Sequence, residues 1–419
     1  MQSAQITRLK ERFCEIASSR FDLEVSTDSN LRDAMEAFLS KVAVTNGSPS
    51  PEKCQKLERL FWLSKEFSDV LRSPHSNFTS FLSRTARVVA GTCVGVGKHM
   101  LGIVDHVYDW VIVDEAARAS PMELVVAMQA GRRVLLVGDH LQLPPMYPKA
   151  VEEKTSQLLE IGRADFRKMN SFQRAFSSEY GRSVGRTLLK QYRMASSINR
   201  VVSNCFYEGA LTVDREAPIA AYEKLPGYLA KEVVWIDTAD QGRASFHRAL
   251  PGGYGALVNE VEANIVVSVV REIAMAKEFV EAIRIKVHQS DSAPIGIITM
   301  YAAQRDLIRR KLDQADWAGD IRDLFTVGTV DSYQGKENCI IILSVVRNDT
   351  SSVVGFLSEP ERINVALSRA QDRLIVVGST TMWSGRAGTP LKKVLDEVTL
   401  MSKEGQAQLV QSRALKGGV

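Results

Sequence analysis

From Arg84 to Met401 the sequence alternates short β-branched apolar runs with longer stretches of helical apolar spacing, and few architectures accept that pattern. Strands are predicted at 87–92, 110–113, 133–137, 183–191, 233–236, 295–299, 325–330, 339–346 and 374–377. Helices are predicted at 121–130, 260–279, 303–315, 361–370 and 390–401, with helices and loop over 149–180. Strands joined through helices pair in parallel by right-handed crossovers, so the chain reads as α/β with parallel sheets. The turn-rich stretch 209–227 divides the alternation into two domains, 85–208 and 209–402, with a tail at 403–419. Before them, Ile6, Leu9, Phe13 and Ile16, then Leu57, Leu60, Phe61, Val70 and Leu71 after Ser50-Pro51, make 1–84 a helical insertion or stalk without readable chemistry.

The 419 residues leave room for two or three domains. No apolar run approaches the roughly 18–20 residues of a membrane helix, and the polar, mixed-charge stretch 1–12 is not a secretory signal. A net charge of +4 permits nucleic-acid binding without requiring it. The five cysteines form no CxxC pair, which argues against a zinc site or disulfide framework and fits a reducing, cytoplasmic setting.

Chemistry concentrates at strand ends. Val111-Ile112-Val113 predicts a strand buried on both faces, and it runs into Asp114-Glu115. Open α/β sheets bind ligands beyond the carboxyl ends of their strands. There Asp114 could hold Mg²⁺ and Glu115 could polarise an attacking water. Gly138 to Pro145 follows the next strand, with a glycine for a tight turn and Gln142, whose amide both donates and accepts. Arg193, within Gln191-Tyr192-Arg193-Met194, could stabilise charge on a transferring phosphoryl group. Thr329 to Glu337 lies between two later strands, and Asn364 to Ala370 lies on a helix that delivers Arg369 and Arg373 to the next strand.

Taken in order, these segments resemble the motifs of superfamily 1 helicases, in the branch of the nonsense-mediated decay RNA helicase. Asp114 to Ala117 resembles motif II and Gly138 to Pro145 motif III. Gln191 to Met194 is similar to the arginine-bearing motif that closes the first domain. Met300 to Gln304, Thr329 to Glu337 and Asn364 to Ala370 resemble motifs IV, V and VI, and Val89 to Gly95 resembles a threonine-bearing nucleic-acid motif. The resemblance, over about 85–380, implies two RecA-like P-loop NTPase-type domains, with ATP and Mg²⁺ between them and single-stranded RNA or DNA across the top. It implies that Gln142, Tyr192, Gly335 and Glu337 contact ATP, that Asp114 holds Mg²⁺, and that Glu115, Arg193 and Arg369 are catalytic. Thr92, Tyr301 and Thr329 would lie along the strand, and the motor would run 5′ to 3′.

One element of that pattern is missing. The phosphate-gripping loop, GxxxxGK followed by Ser or Thr, occurs nowhere. In Gly91 to His99 the first glycine is one residue too far from Gly97, and His99 replaces the Mg²⁺-binding hydroxyl. The first RecA-like domain is therefore expected to be incomplete. Either the chain is the downstream part of a longer helicase, or completed by a P-loop-bearing partner, or it is an inactive remnant that binds nucleic acid without turning over ATP.

Overall fold

The computed structural model describes residues 85–415 apart from 99–101, 104–105, 163–165, 167–169, 252–255, 288–292, 334 and 352, and only scattered positions before 85. The expected helical stalk lies largely outside the described residues. Two compact units emerge, Met1–Val113 with Met122–Leu135, and Asp114–Pro121 with Leu136–Val419.

In the first unit β1 (Tyr108–Val113), α1 (Pro121–Met128) and β2 (Gly131–Leu136) follow one another, and β1 pairs with β2 in a two-stranded sheet. Burial of β1 on both faces is corrected here: Trp110 is 53% and Ile112 66% exposed, and within the run only Val113 is buried. Among the described residues β1 has one ladder neighbour, and a strand is shielded on both faces only when layers pack on each side. The 87–92 segment forms no ladder. Its last residue, Thr92, instead caps the short helix Cys93–Val96. Gly97 tucks beneath α1, where a Cβ would meet Val126 Cγ1 at 2.3 Å, so this glycine serves packing.

The second unit holds a six-stranded sheet of β3 (Val233–Asp237), β4 (Ile295–Thr299), β5 (Phe325–Thr329), β6 (Asn338–Ser344), β7 (Ala370–Gly378) and β8 (Ala407–Gln411). Its order is β8-β3-β7-β6-β4-β5, and every neighbouring pair is parallel. Successive residues of β3 feed opposite cores. Val233 and Trp235 join α2 (Ser196–Phe206) and α6 (Pro390–Lys403) on one face, through Ile198, Val201, Val394 and Val398. Val234 and Ile236 join α3 (Glu260–Met275) and α4 (Ala302–Asp313) on the other, through Val266, Val270 and Ile308. Between β6 and β7 runs α5 (Pro360–Ser368).

Several expectations shift. The stretch 403–419 is no simple tail, because β8 pairs with β3 at the sheet edge. The turn-rich stretch 209–227 does not separate two cores, because α2, which precedes it, packs in the second. The 260–279 helix breaks at Ala276, whose ψ of 71° is not helical. Only Lys190–Gln191 of the 183–191 strand forms a ladder, since a helix runs to Val184. For function, the register matters most. Thr329, Thr299 and Ser344 stand side by side at the carboxyl edge, and Asn338 opposes Ala370 at the amino edge.

Candidate functional site

The second unit gathers one polar cluster at the amino ends of β6 and β7. Arg369 caps α5 immediately before β7, and it is 2% exposed. Its guanidinium donates to Val365 O at 3.2 Å, Lys336 O at 3.3 Å, Ser368 Oγ at 3.1 Å and Gln142 Oε1 at 3.2 Å. All four acceptors are neutral. Burial pushes the Arg369 pKa down to about 10; the nearby Arg193 adds to the shift, and Glu115 and Glu337 oppose it through space. A buried cation whose hydrogen bonds all go to neutral acceptors is costly, and an anionic acceptor would offset that cost.

Arg193 pairs with Glu337 through its Nε, and Nη1 reaches Ser368 O at 3.4 Å. Gln371 Nε2 donates to the other Glu337 oxygen at 2.7 Å. The backbone around Arg193 is fixed by Gln191, whose Oε1 accepts the Arg193 and Met194 N–H groups at 2.8 and 2.7 Å. Arg215 ties the same segment to β7, donating to Arg193 O, to Gln371 O at 2.8 Å and to the buried carboxylate of Asp372 at 2.6 Å. A cleft of about 660 Å³ opens here, lined by Tyr192, Arg193, Arg215, Lys286, Glu337 and Gln371 among others. Tyr192 is 66% exposed, so its ring is available to an aromatic base.

Gln142 is held by its own loop: Nε2 donates to Asp139 Oδ2 at 2.9 Å. Asn364 on α5 clasps that loop, donating to Leu141 O at 2.8 Å and to Tyr207 Oη at 2.9 Å. Burial, then Asp139, raises the Tyr207 pKa, which keeps the phenol neutral. Gly138 serves close approach rather than a left-handed turn, since a Cβ there would stand 2.9 Å from Ala117 N. Glu115 sits at φ 53°, and its N–H bonds to Asp114 Oδ1 at 2.9 Å. A non-glycine residue in the left-handed region is strained, and such strain collects at functional sites.

The structure therefore brings Glu115, Gln142, Tyr192, Arg193, Glu337 and Arg369 into one neighbourhood, with Asp114 adjoining Glu115 in the chain. Gly335 supplies the turn at φ 77° that leads into Glu337. Each of the three expected strand-contact residues has its own local setting. Thr92 belongs to the first unit, where its hydroxyl accepts the Gly95 N–H at 3.0 Å. Thr329 ends β5 at the carboxyl edge and caps the short 3₁₀ helix Val330–Ser332. Tyr301 is 2% exposed, which corrects its placement on the strand path: the ring is core, and its hydroxyl accepts from Arg347 Nε at 3.2 Å. Sequence alone singles out no role for Asp139, Tyr207, Arg215, Asn364 or Gln371, although Asp139 and Asn364 fall within the motif-like segments. Asn364 and Gln371 flank Arg369 closely enough to be suspected, but nothing local marks Tyr207 or Arg215.

A family model described as an AAA domain matches residues 168–381, just over half the chain. A second, also an AAA domain, matches residues 5–150. The chain is 30% identical over 374 residues to ATP-dependent helicase upf1 of Schizosaccharomyces pombe, covering 87% of this chain and 36% of that protein. It is 31% identical over 373 residues to ATP-dependent helicase NAM7 of Saccharomyces cerevisiae, covering 84% and 35%. It thus spans about a third of the length of these relatives. Among solved structures, the arterivirus nonstructural protein 10 helicase aligns at a TM-score of 0.30 with 17% identity, over 65% of this chain and 40% of that one.

Proposed function

Because this chain belongs to the superfamily 1 helicases of the nonsense-mediated decay branch, within the AAA-domain family, we propose that it is the core of an ATP-dependent translocase acting 5′ to 3′ on single-stranded RNA or DNA. The observation that carries the ATP reading is Arg369, a buried guanidinium bonded to four neutral oxygens with Arg193 beside it. A triphosphate would give Arg369 the anionic acceptor that its hydrogen bonds lack, and would compete with Glu337 for Arg193.

In this reading Arg369 and Arg193 stabilise the charge that develops on the transferring phosphoryl group, and Gln142, anchored by Asp139, orients toward it. Glu115 positions the attacking water. Tyr192 stacks on the base, while Glu337 exchanges Arg193 for the nucleotide. Asp114 would hold Mg²⁺, which would supply Lewis-acid charge to the phosphate oxygens. Nucleic-acid binding rests on phosphate contacts and stacking, and it is salt-sensitive and sequence-tolerant.

The sequence carries no GxxxxGK loop followed by Ser or Thr, and Gly97 in the nearest look-alike is committed to packing under α1. We infer that a loop from an upstream segment or a partner chain completes the grip. The test compares nucleic-acid-stimulated ATP turnover by this chain with turnover by the chain extended upstream to include a GxxxxGK loop. Slow turnover alone and fast turnover when extended are expected. Robust turnover by the chain alone refutes the missing grip, and inactivity of both favours the binding-only remnant. Glu115→Gln in the extended protein should abolish turnover and spare nucleotide binding.

A further inference from the structure

We propose that Phe356 is a base-stacking platform on the single-strand path, set in place by a strained turn at Val346 and by Arg347. The proposal deepens the nucleic-acid reading above and rests on it. It begins from an outlier. Just past β6, Val346 adopts φ 71°, and the Arg347 N–H bonds back to Val345 O at 2.9 Å. A bond from residue i+2 to residue i around a positive-φ centre is the rare, strained form of γ-turn. A β-branched residue at that centre is a genuine conformational exception.

The surroundings over-determine the turn. Glu262 on α3 is wholly buried and accepts the Val346 N–H at 2.7 Å and Ser344 Oγ at 2.7 Å. Asn259 Nδ2 donates to Val346 O at 3.0 Å, and Gln304 bridges Asn259 to Ser344. Strain that is held this firmly aims something.

What it aims is Arg347. Its Nε donates to Tyr301 Oη at 3.2 Å, and Nη1 donates to Val353 O at 2.9 Å. That second bond fastens the loop leading to Gly355, which lies at φ 62°; a Cβ there would stand 3.0 Å from Arg347 Nη2 and 3.4 Å from Tyr301 Oη. The next residue, Phe356, is thereby laid against Tyr301, with ring centroids 5.9 Å apart, and under the Arg362 guanidinium at 4.6 Å. Arg362 in turn pairs with Asp331, two residues past Thr329 at the carboxyl edge. Tyr301 is buried, but Phe356 is 37% exposed. A partly exposed ring with the Arg362 guanidinium lying on it offers a single strand an aromatic and cationic surface, where a base stacks as Arg362 turns from Asp331 and Glu359 to the backbone. The cluster with Arg369 lies at the opposite end of the same strands, so the platform is separate from it.

The test measures binding of a fluorescently labelled oligouridine to the full chain by anisotropy, across a salt series. Phe356→Ala and Phe356→Leu are each expected to weaken binding about tenfold. Leucine keeps the apolar packing, so a loss in that variant isolates stacking, and the salt slope should match the parent's because no phosphate contact is removed. Phe356→Trp should bind like the parent and show indole fluorescence that the oligonucleotide quenches. Parent-like affinity in the leucine variant overturns the platform whatever happens to the alanine variant. A parent chain that binds no oligonucleotide overturns the nucleic-acid reading beneath it.

Discussion

The guanidinium of Arg369 and the side-chain amide of Gln142 lie 227 positions apart in sequence and share a 3.2 Å hydrogen bond. That bond joins the loop after β2 to the start of β7, so a displacement of the Gln142 amide reaches the arginine directly. Arg369→Lys replaces a planar fork that reaches four oxygens with a single ammonium. In the upstream-extended protein, ATP turnover should fall by about 10³-fold or more, the scale on which such arginines act. Steady-state phosphate release checks this, and turnover within a few-fold of the parent would remove Arg369 from the chemistry.

Asp372 is wholly buried and accepts from Arg215, Lys286 and Tyr222 at 2.6, 2.8 and 2.9 Å. Burial alone would raise its pKa, but Lys286, Tyr222 and Arg215 together hold it below the usual carboxylate range. Asp372→Ala strands these donors and should cost about 3 kcal/mol, the low end for a broken buried pair because Lys286 is partly exposed. The urea midpoint reports the loss. The same variant should loosen nucleotide binding, because Arg215 also holds Arg193 and Gln371.

Glu262 gives a pH signature. Burial raises its pKa from 4.5 to about 8, against the hydrogen bonds from Val346 and Ser344 that favour the charged form. The folded chain thus holds this proton where the unfolded chain has released it. Its contribution to stability is complete below about pH 4.5, declines as pH rises, and is gone above about pH 8. Thermal melts between those limits should show this decline, and Glu262→Gln should flatten it. An unchanged slope in the variant would assign the decline to other groups.

At Val346 the usual ranking of small substitutions should reverse. Alanine retains the positive-φ strain, of about 1–3 kcal/mol, and loses two buried methyl groups. Glycine also loses the β-carbon, about 0.8 kcal/mol more, and carries an unfolded-state entropy cost of about 0.5–1 kcal/mol, but it relieves the strain. Val346→Gly should therefore be at least as stable as Val346→Ala in urea unfolding. A clearly weaker glycine variant would show that the turn is unstrained.

Most of the second unit was legible because its strands are buried on both faces. Val233 to Ile236, Ile295 to Ile298 and Cys339 to Leu343 read as near-continuous apolar runs and are fully buried. Val111 to Val113 reads the same way yet only Val113 is buried, since apolar content fixes what a strand prefers and neighbours decide what it receives. The strand β8 escaped notice because Ala407 to Gln411 alternates like an edge strand and sits where a tail was expected.

By itself the sequence determined the alternation, the order of the motifs and the residue types that phosphate chemistry requires, because these are properties of neighbouring positions. Only the tertiary structure decided which of them meet. Parallel register placed Glu337 and Arg369 at one end of the strands and Thr329 and Val346 at the other, and it drew Tyr207, Arg215 and Gln371 into contact with residues far away in the chain. It also took Tyr301 out of solvent and brought Phe356 forward beside it. Burial and long-range hydrogen bonding depend on how whole layers pack, and local sequence carries no record of that.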